Sequence, residues 1–132
     1  MTRLRVPLLI LYVLLIFFVS SRPNLQPPGP SFLMKDKVAH FGEYFLLGVL
    51  LFGGIGWTVS RDKAITFIFL VAVGVSVAAL DEMFQGYIPG RKADILDWVA
   101  DAIGVTCAIS ILVFTGIGKR RRVPVQSEGG SA

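Results

Sequence analysis

Charged residues are scarce in this chain. They make up 17% of the 132 residues, whereas 54% are hydrophobic and the mean hydropathy is +0.69. A water-soluble domain carries about 25% charged residues, and so short a chain cannot hide that much apolar surface from water. The composition therefore argues against an ordinary soluble enzyme and favours a protein whose solvent is the lipid bilayer.

Cysteine and histidine are almost absent, because Cys107 and His40 are the only residues of their types. A single cysteine excludes an intrachain disulfide and a cysteine-based zinc site. No HExxH or comparable metal-binding spacing is present, and Ser76, Thr106 and Ser110 lie in predicted helix interiors without a neighbouring base. We therefore predict no metal, no other cofactor and no serine or threonine nucleophile.

A basic face interleaved with aromatic residues, typical of nucleic-acid-binding proteins, is also missing. The formal net charge is +4, but the densest basic run, residues 119–122, directly follows an apolar stretch. Such a run is typical of the cytoplasmic end of a transmembrane helix. We therefore predict membrane lipids as partners and no nucleic acid.

Four apolar stretches are candidates for membrane helices, each of which needs about 20 mainly apolar residues. We predict helices at about residues 6–20, 36–59, 64–85 and 94–117. The first is short and fits either a cleaved signal peptide or a transmembrane helix, and Gly53 and Gly54 predict a loose or kinked region in the second. The expected fold is a single all-α, four-helix membrane bundle over residues 1–122, with a disordered cytoplasmic tail at 123–132.

The basic residues favour a cytoplasmic location for both termini. In that orientation eight Lys and Arg residues lie on the cytoplasmic side and five on the other. The second helix then starts, the third ends and the fourth starts at the extracytoplasmic face. Seven of the nine acidic residues fall on this face: Asp36, Glu43, Asp81, Glu82, Asp94, Asp97 and Asp101.

We predict that these helix ends form one polar layer, because ionisable groups within spans usually face the bundle interior or a wet cavity. Asp36 and Lys37 are expected instead to be a solvated helix start. The alternative is a network that only holds the helices together. The candidate binding residues are His40, Glu43, Tyr44, Asp81, Glu82, Gln85, Arg91, Asp94, Asp97 and Asp101.

The order of these motifs resembles the VanZ-like family of small bacterial membrane proteins. Two positions depart from the family pattern: Phe84 stands where the family often has His, and Asp101 where it often has Asn. The resemblance implies a multi-pass cell-envelope protein of the bacterial cytoplasmic (inner) membrane, and the family is named for a member that lowers susceptibility to the glycopeptide antibiotic teicoplanin. The similar residues are Asp36, Lys37, His40, Phe41 and Tyr44, then Asp81, Glu82, Gln85, Pro89, Gly90 and Arg91, then Asp94, Asp97 and Gly104.

Three functions fit this sequence. The polar layer binds a lipid headgroup, a lipid-linked envelope precursor or an amphiphilic antibiotic; this is our preferred interpretation because it needs no nucleophile. Alternatively, the glycine-rich second helix makes the protein a scaffold for a homo-oligomer or for another membrane protein. The third possible function is that of an intramembrane enzyme. It would use Asp81 or Glu82 as a general base, and His40 or Arg91 would stabilise negative charge on a phosphate or acyl group of the substrate.

Overall fold

A computed structural model describes residues 4–23 and 33–116. Helix α1 spans Arg5–Ser20, α2 spans Leu33–Leu51, α3 spans Lys63–Gln85 and α4 spans Ile95–Thr115. There is no strand in these two ranges, so the expectation of an all-α fold is confirmed. The predicted tail and the basic run at 119–122 lie outside the described residues.

Three helices are long and apolar enough to cross a membrane: Lys35–Val59, Lys63–Gln85 and Ile95–Thr115. Helix α1 has 16 residues, which at 1.5 Å per residue gives about 24 Å, less than the ~30 Å hydrocarbon core. The expectation of four spanning helices is therefore corrected, in the described part, to three long helices and one short one. Helix α1 still packs into the bundle, where Leu9 and Ile16 are buried.

The second apolar stretch is not one regular α-helix. It begins at Leu33 rather than at the expected Asp36, and α2 continues into a π-helical turn, Phe52–Gly56, and a last short turn, Trp57–Val59. A π-helical turn is wider than an α-helical turn and is usually a local interruption. The loose region expected at Gly53 and Gly54 is this π-helical turn.

The helices alternate in direction. Tyr12 of α1 donates a hydrogen bond to the Glu43 carbonyl of α2 at 3.0 Å, and Arg5 donates to the Gly53 carbonyl at 3.5 Å, so α1 and α2 run in opposite directions. Helix α3 ends beside the start of α4, where the Glu82 carboxylate accepts from the Asp94 amide. Helices α1 and α3 therefore end where α2 and α4 begin, and we call this end of the bundle the polar end.

Helices α2 and α4 run side by side in the same direction and share the most extensive contact in the bundle. A Cβ placed on Gly48 would lie 2.8 Å from the Ala108 Cβ, and one on Gly104 would collide with the Phe41 carbonyl oxygen. Small residues at such positions let two helix backbones approach closely. Gly48 and Gly104 therefore serve contacts within this chain, and they let α2 and α4 pack closely along their middle turns.

We expect Gly104→Ala to lower the free energy of unfolding by about 1–3 kcal/mol, the usual cost of overpacking a tight contact. Gly42→Ala is the matched control, because no atom lies within 4 Å of a Cβ placed there. The control should leave stability unchanged or raise it by up to about 1 kcal/mol, since Ala is the better helix former. Unfolding in mixed detergent micelles measures both, and a Gly104→Ala protein as stable as wild type would contradict the packing.

Candidate functional site

His40 lies at the centre of the polar end and is only 7% exposed. Its Nδ1 is 3.0 Å from Asp101 Oδ1, and its Nε2 is 3.9 Å from Asp97 Oδ2. Asp97 and Asp101 are four residues apart on α4 and so share the face that meets α2. The acidic residues expected to point into the bundle do so here, and one imidazole lies between two of them.

Lys37 is not the solvated residue expected from the sequence. Its Nζ donates to Asp97 Oδ1 at 2.5 Å and to Asp94 Oδ2 at 3.2 Å, and its side chain is only 26% exposed. A lysine side chain is long enough to cover apolar surface while its ammonium group reaches a distant partner. Lys37 thus pairs the second turn of α2 with the start of α4, whereas Asp36 is exposed as expected.

Asp94 is the residue immediately before α4. Its carboxylate accepts from the Leu96 amide at 2.8 Å, and its own amide donates to Glu82 Oε2 at 2.9 Å. The Leu96 amide, and then the Lys37 ammonium group, hold the pKa of the Asp94 carboxyl below its usual value. Asp94 therefore caps α4 and connects α2, α3 and α4.

A second group of contacts lies where α1 and α3 end. Asp81 Oδ2 accepts from Ser20 Oγ and from Gln85 Nε2, both at 2.9 Å. Arg91, in the turn after α3, donates to the Ser20 carbonyl at 3.2 Å. Ser20 was not among the predicted site residues. The only sequence feature that could have indicated it is its position at the end of the first apolar stretch.

Tyr44 is fully buried, and Glu43 beside it is half-buried. The Glu43 carboxylate lies within electrostatic range of Asp81, His40 and Arg91. All the predicted site residues therefore lie at the polar end, although Arg91 and Asp94 are on its partly exposed rim. We call the predicted residues, together with Ser20 and Lys37, the polar cluster.

Several polar atoms of the polar cluster are buried without a hydrogen-bond partner in the described part. Buried polar atoms nearly always have a hydrogen-bond partner. Among the described residues, however, four buried oxygens of the cluster have none: Tyr44 Oη, Asp81 Oδ1, Glu82 Oε1 and Asp101 Oδ2.

The cluster also has more carboxylates than cations. Asp81, Glu82, Asp97 and Asp101 are buried, whereas the basic side chains that form ion-pair contacts with them in the described part are those of Lys37 and of His40, which is charged only when protonated. Burying carboxylates is costly unless positive charge and hydrogen bonds compensate them. The arrangement is therefore suited to a ligand that brings positive charge.

The fold and this cluster define a small helical protein whose apolar helices are compatible with a membrane. The family described as VanZ/LLP1 matches residues 6–116, and the chain belongs to this family. An uncharacterized protein of Schizosaccharomyces pombe is 32% identical over 118 residues, which is 86% of this chain; the chain spans 65% of that protein's length. No solved structure matches the chain.

The two departures from the family pattern have different surroundings. Phe84 packs against Phe17 of α1, with ring centroids 5.8 Å apart. Asp101, where the family often has Asn, contacts the only histidine of the chain. Phe84 thus provides an aromatic contact between α1 and α3, whereas Asp101 adds a carboxyl group to the polar cluster.

The unusual pKa of Asp94 gives a direct test of the Lys37 contact. In Lys37→Met we expect the pKa of Asp94 to rise but to stay below its usual value, because the Leu96 amide still donates to the carboxylate. A carboxyl whose pKa is lowered by folding stabilises the protein above its ordinary pKa, and this contribution is lost as pH falls through the lowered value. In Lys37→Met this contribution should therefore be smaller, and its loss should be complete at a higher pH than in wild type, while the pH at which the loss begins stays the same.

The carboxyl ¹³C shift of Asp94, followed against pH in detergent micelles, measures this pKa. Lys92→Met is the control, because Lys92 is an exposed lysine two residues before Asp94. An Asp94 pKa that does not change in Lys37→Met, or that rises equally in Lys92→Met, would contradict the contact.

Proposed function

We propose that this membrane protein binds the polar head of an amphiphile at its polar cluster, and that this head carries both an amine and an anionic group. The observation that carries the proposal is the combination of Glu43, Asp81 and Arg91. The Glu43 carboxylate lies within electrostatic range of the other two side chains, and Asp81 Oδ1 has no described hydrogen-bond partner.

The two carboxylates suit the amine. Glu43 is only half-buried, so an ammonium group can reach it from the rim and then contact the deeper Asp81. Asp81 is held by Ser20 and Gln85 through one oxygen, which leaves the other to accept from the ligand. Hydrogen bonds between an ammonium group and a carboxylate are stronger than neutral ones.

Arg91 suits the anionic group. It is partly exposed and uses one N–H for the Ser20 carbonyl, whereas a guanidinium has five N–H donors. Its planar fork matches the oxygens of a phosphate or a carboxylate. A zwitterionic head can thus place its amine at Glu43 and Asp81 and its anionic oxygens at Arg91.

Apolar side chains surround the polar end and suit the hydrocarbon part of the ligand. Met83 is 61% exposed, Tyr87 82% and Ile95 68%. Tyrosine is enriched at the membrane–water interface, which agrees with a polar end at the level of the lipid headgroups. Acyl chains packed on this surface would leave the head beside Arg91.

We assign the polar end to the extracytoplasmic face of a bacterial cytoplasmic membrane. Support comes from the eight basic residues that this orientation places in the cytoplasm against five outside, and from membership of the VanZ/LLP1 family. The ligand is then a phospholipid headgroup, a lipid-linked envelope precursor or a glycopeptide antibiotic of the teicoplanin type. Binding it would alter envelope properties or susceptibility to such antibiotics.

Native mass spectrometry of the full chain in mild detergent tests this proposal. The probes are phosphatidylethanolamine, which has an amine and a phosphate, and phosphatidylglycerol with the same acyl chains, which lacks the amine. We expect preferential retention of phosphatidylethanolamine, weakened about tenfold or more in Glu43→Gln and Arg91→Gln, because bonds to charged groups contribute about 1.5–3 kcal/mol each. Displacement of the bound lipid by teicoplanin would show that the antibiotic takes the same site.

Asp62→Asn is the matched control. It removes one carboxylate at the opposite end of the bundle, and Asn can keep the cap that Asp62 gives α3. Equal retention of both lipids by wild type, or the same retention in Glu43→Gln as in Asp62→Asn, would overturn the proposal. A partner protein that co-purifies regardless of these substitutions would favour the scaffold, although Gly48 and Gly104 already pack within the chain.

A further inference from the structure

We propose that His40, Glu82 and Asp101 form a site for one divalent transition-metal ion, such as Zn²⁺ or Mn²⁺. One ligand atom from each of these residues lies within 4.8 Å of the other two. Their exposed fractions are 7%, 6% and 0%. The site shares no residue with the contacts proposed above for an amphiphile, so it goes beyond that function.

The two carboxylates are held as metal ligands usually are. Glu82 Oε2 accepts from the Asp94 amide at 2.9 Å, while Glu82 Oε1 is buried without a described partner. Asp101 Oδ1 lies 3.0 Å from His40 Nδ1, while Asp101 Oδ2 is also unpartnered. Glu82 is thus oriented through one oxygen and offers the other to a ligand, as second-shell hydrogen bonds do for metal ligands, and Asp101 also has one buried oxygen without a described partner.

The spacing between His40 and Asp101 suits a shared ion. Two ligands about 2.0–2.2 Å from a metal, at angles of about 90–109°, lie roughly 3.0–3.5 Å from each other. The observed separation of Nδ1 and Oδ1 is 3.0 Å. A metal ion can therefore replace the proton between these two atoms once the imidazole and the carboxylate rotate so that both face the ion.

The donor set indicates the class of ion. One imidazole with two carboxylates favours Zn²⁺ or Mn²⁺, because Ca²⁺ and Mg²⁺ prefer sites made of oxygen alone. A dication would also compensate the excess of buried carboxylates around His40. The sequence predicted no metal because the three ligands come from α2, α3 and α4 and form no local motif.

Mn²⁺ binding to the full chain in detergent micelles tests the site. We expect calorimetry to give one Mn²⁺ per chain, and pulsed electron paramagnetic resonance to show ¹⁴N coupling from a single imidazole, which must come from His40 because the chain has no other histidine. Glu82→Gln and Asp101→Asn should each weaken binding at least about tenfold, as changes around metal sites do. Excess Zn²⁺ should displace the Mn²⁺.

Two control variants make the result specific. Asp36, His40 and Asp97 form a second, more exposed grouping, so Asp36→Asn should leave the affinity for Mn²⁺ unchanged. Glu43→Gln should weaken Mn²⁺ binding much less than Glu82→Gln does, because Glu43 is not a ligand of this site, which separates the site from the amphiphile contacts.

Three results would overturn the proposal: no Mn²⁺ bound by wild type, bound Mn²⁺ without ¹⁴N coupling, or binding lost in Asp36→Asn but kept in Glu82→Gln. The measurements on wild type decide the matter even if a variant fails to fold.

Discussion

The burial of several carboxylates at one end of a helical bundle is the constraint on which the rest of this structure depends. Ionisable groups within the bilayer are costly unless they pair with one another or face a protected interior. Here Asp97 and Asp101 of α4 meet Lys37 and His40 of α2. Ser20, Gln85 and the Asp94 amide donate hydrogen bonds to Asp81 and Glu82, which Lys37 and His40 do not contact.

Helix packing makes this pairing possible. Gly48 and Gly104 remove the side chains that would hold α2 and α4 apart, since a Cβ at either position would collide with the neighbouring helix. Gly104 lies less than one turn beyond Asp101, so the close contact of backbones also sets the position of the buried carboxyl group. Gly104 and the acidic residues Asp97 and Asp101 of α4 therefore belong to one arrangement.

Each helix end contributes to the cluster in a different way. Helix α1 provides a hydroxyl donor and a carbonyl acceptor through Ser20, and the turn after α3 provides Arg91. The N-cap Asp94 accepts from α4 and donates to Glu82 of α3. Without α1, the Asp81 carboxylate would lose one of its two hydrogen-bond donors, so the short first helix is part of the site as well as of the core.

Much of this arrangement follows from local patterns in the sequence. The spacing of His40, Glu43 and Tyr44 predicts a common helix face, and the repeat of Asp97, Asp101 and Gly104 predicts a stripe on α4. The lengths of the apolar stretches predict helices that alternate in direction. This alternation places both faces at the same end of the bundle before any contact between them is known.

The contacts between distant residues could not be predicted in this way. Ser20 meets Asp81 across 61 residues, and Lys37 meets Asp97 across 60. No periodicity links such pairs, because they depend on how the helices dock and not on how each one forms. The π-helical turn of α2 was visible only as a cluster of glycines.

The most direct test of the account is the distance between the His40 imidazole and the Asp101 carboxyl group in a lipid bilayer. Solid-state NMR dipolar recoupling can measure it with ¹⁵N-labelled histidine, which marks His40 alone, and ¹³C-carboxyl-labelled aspartate, with Asp101→Asn to assign the signal. We expect a separation of about 3–4 Å, as for hydrogen-bonded groups. A wild-type protein without this coupling would contradict the claim that the buried carboxylates gather around His40.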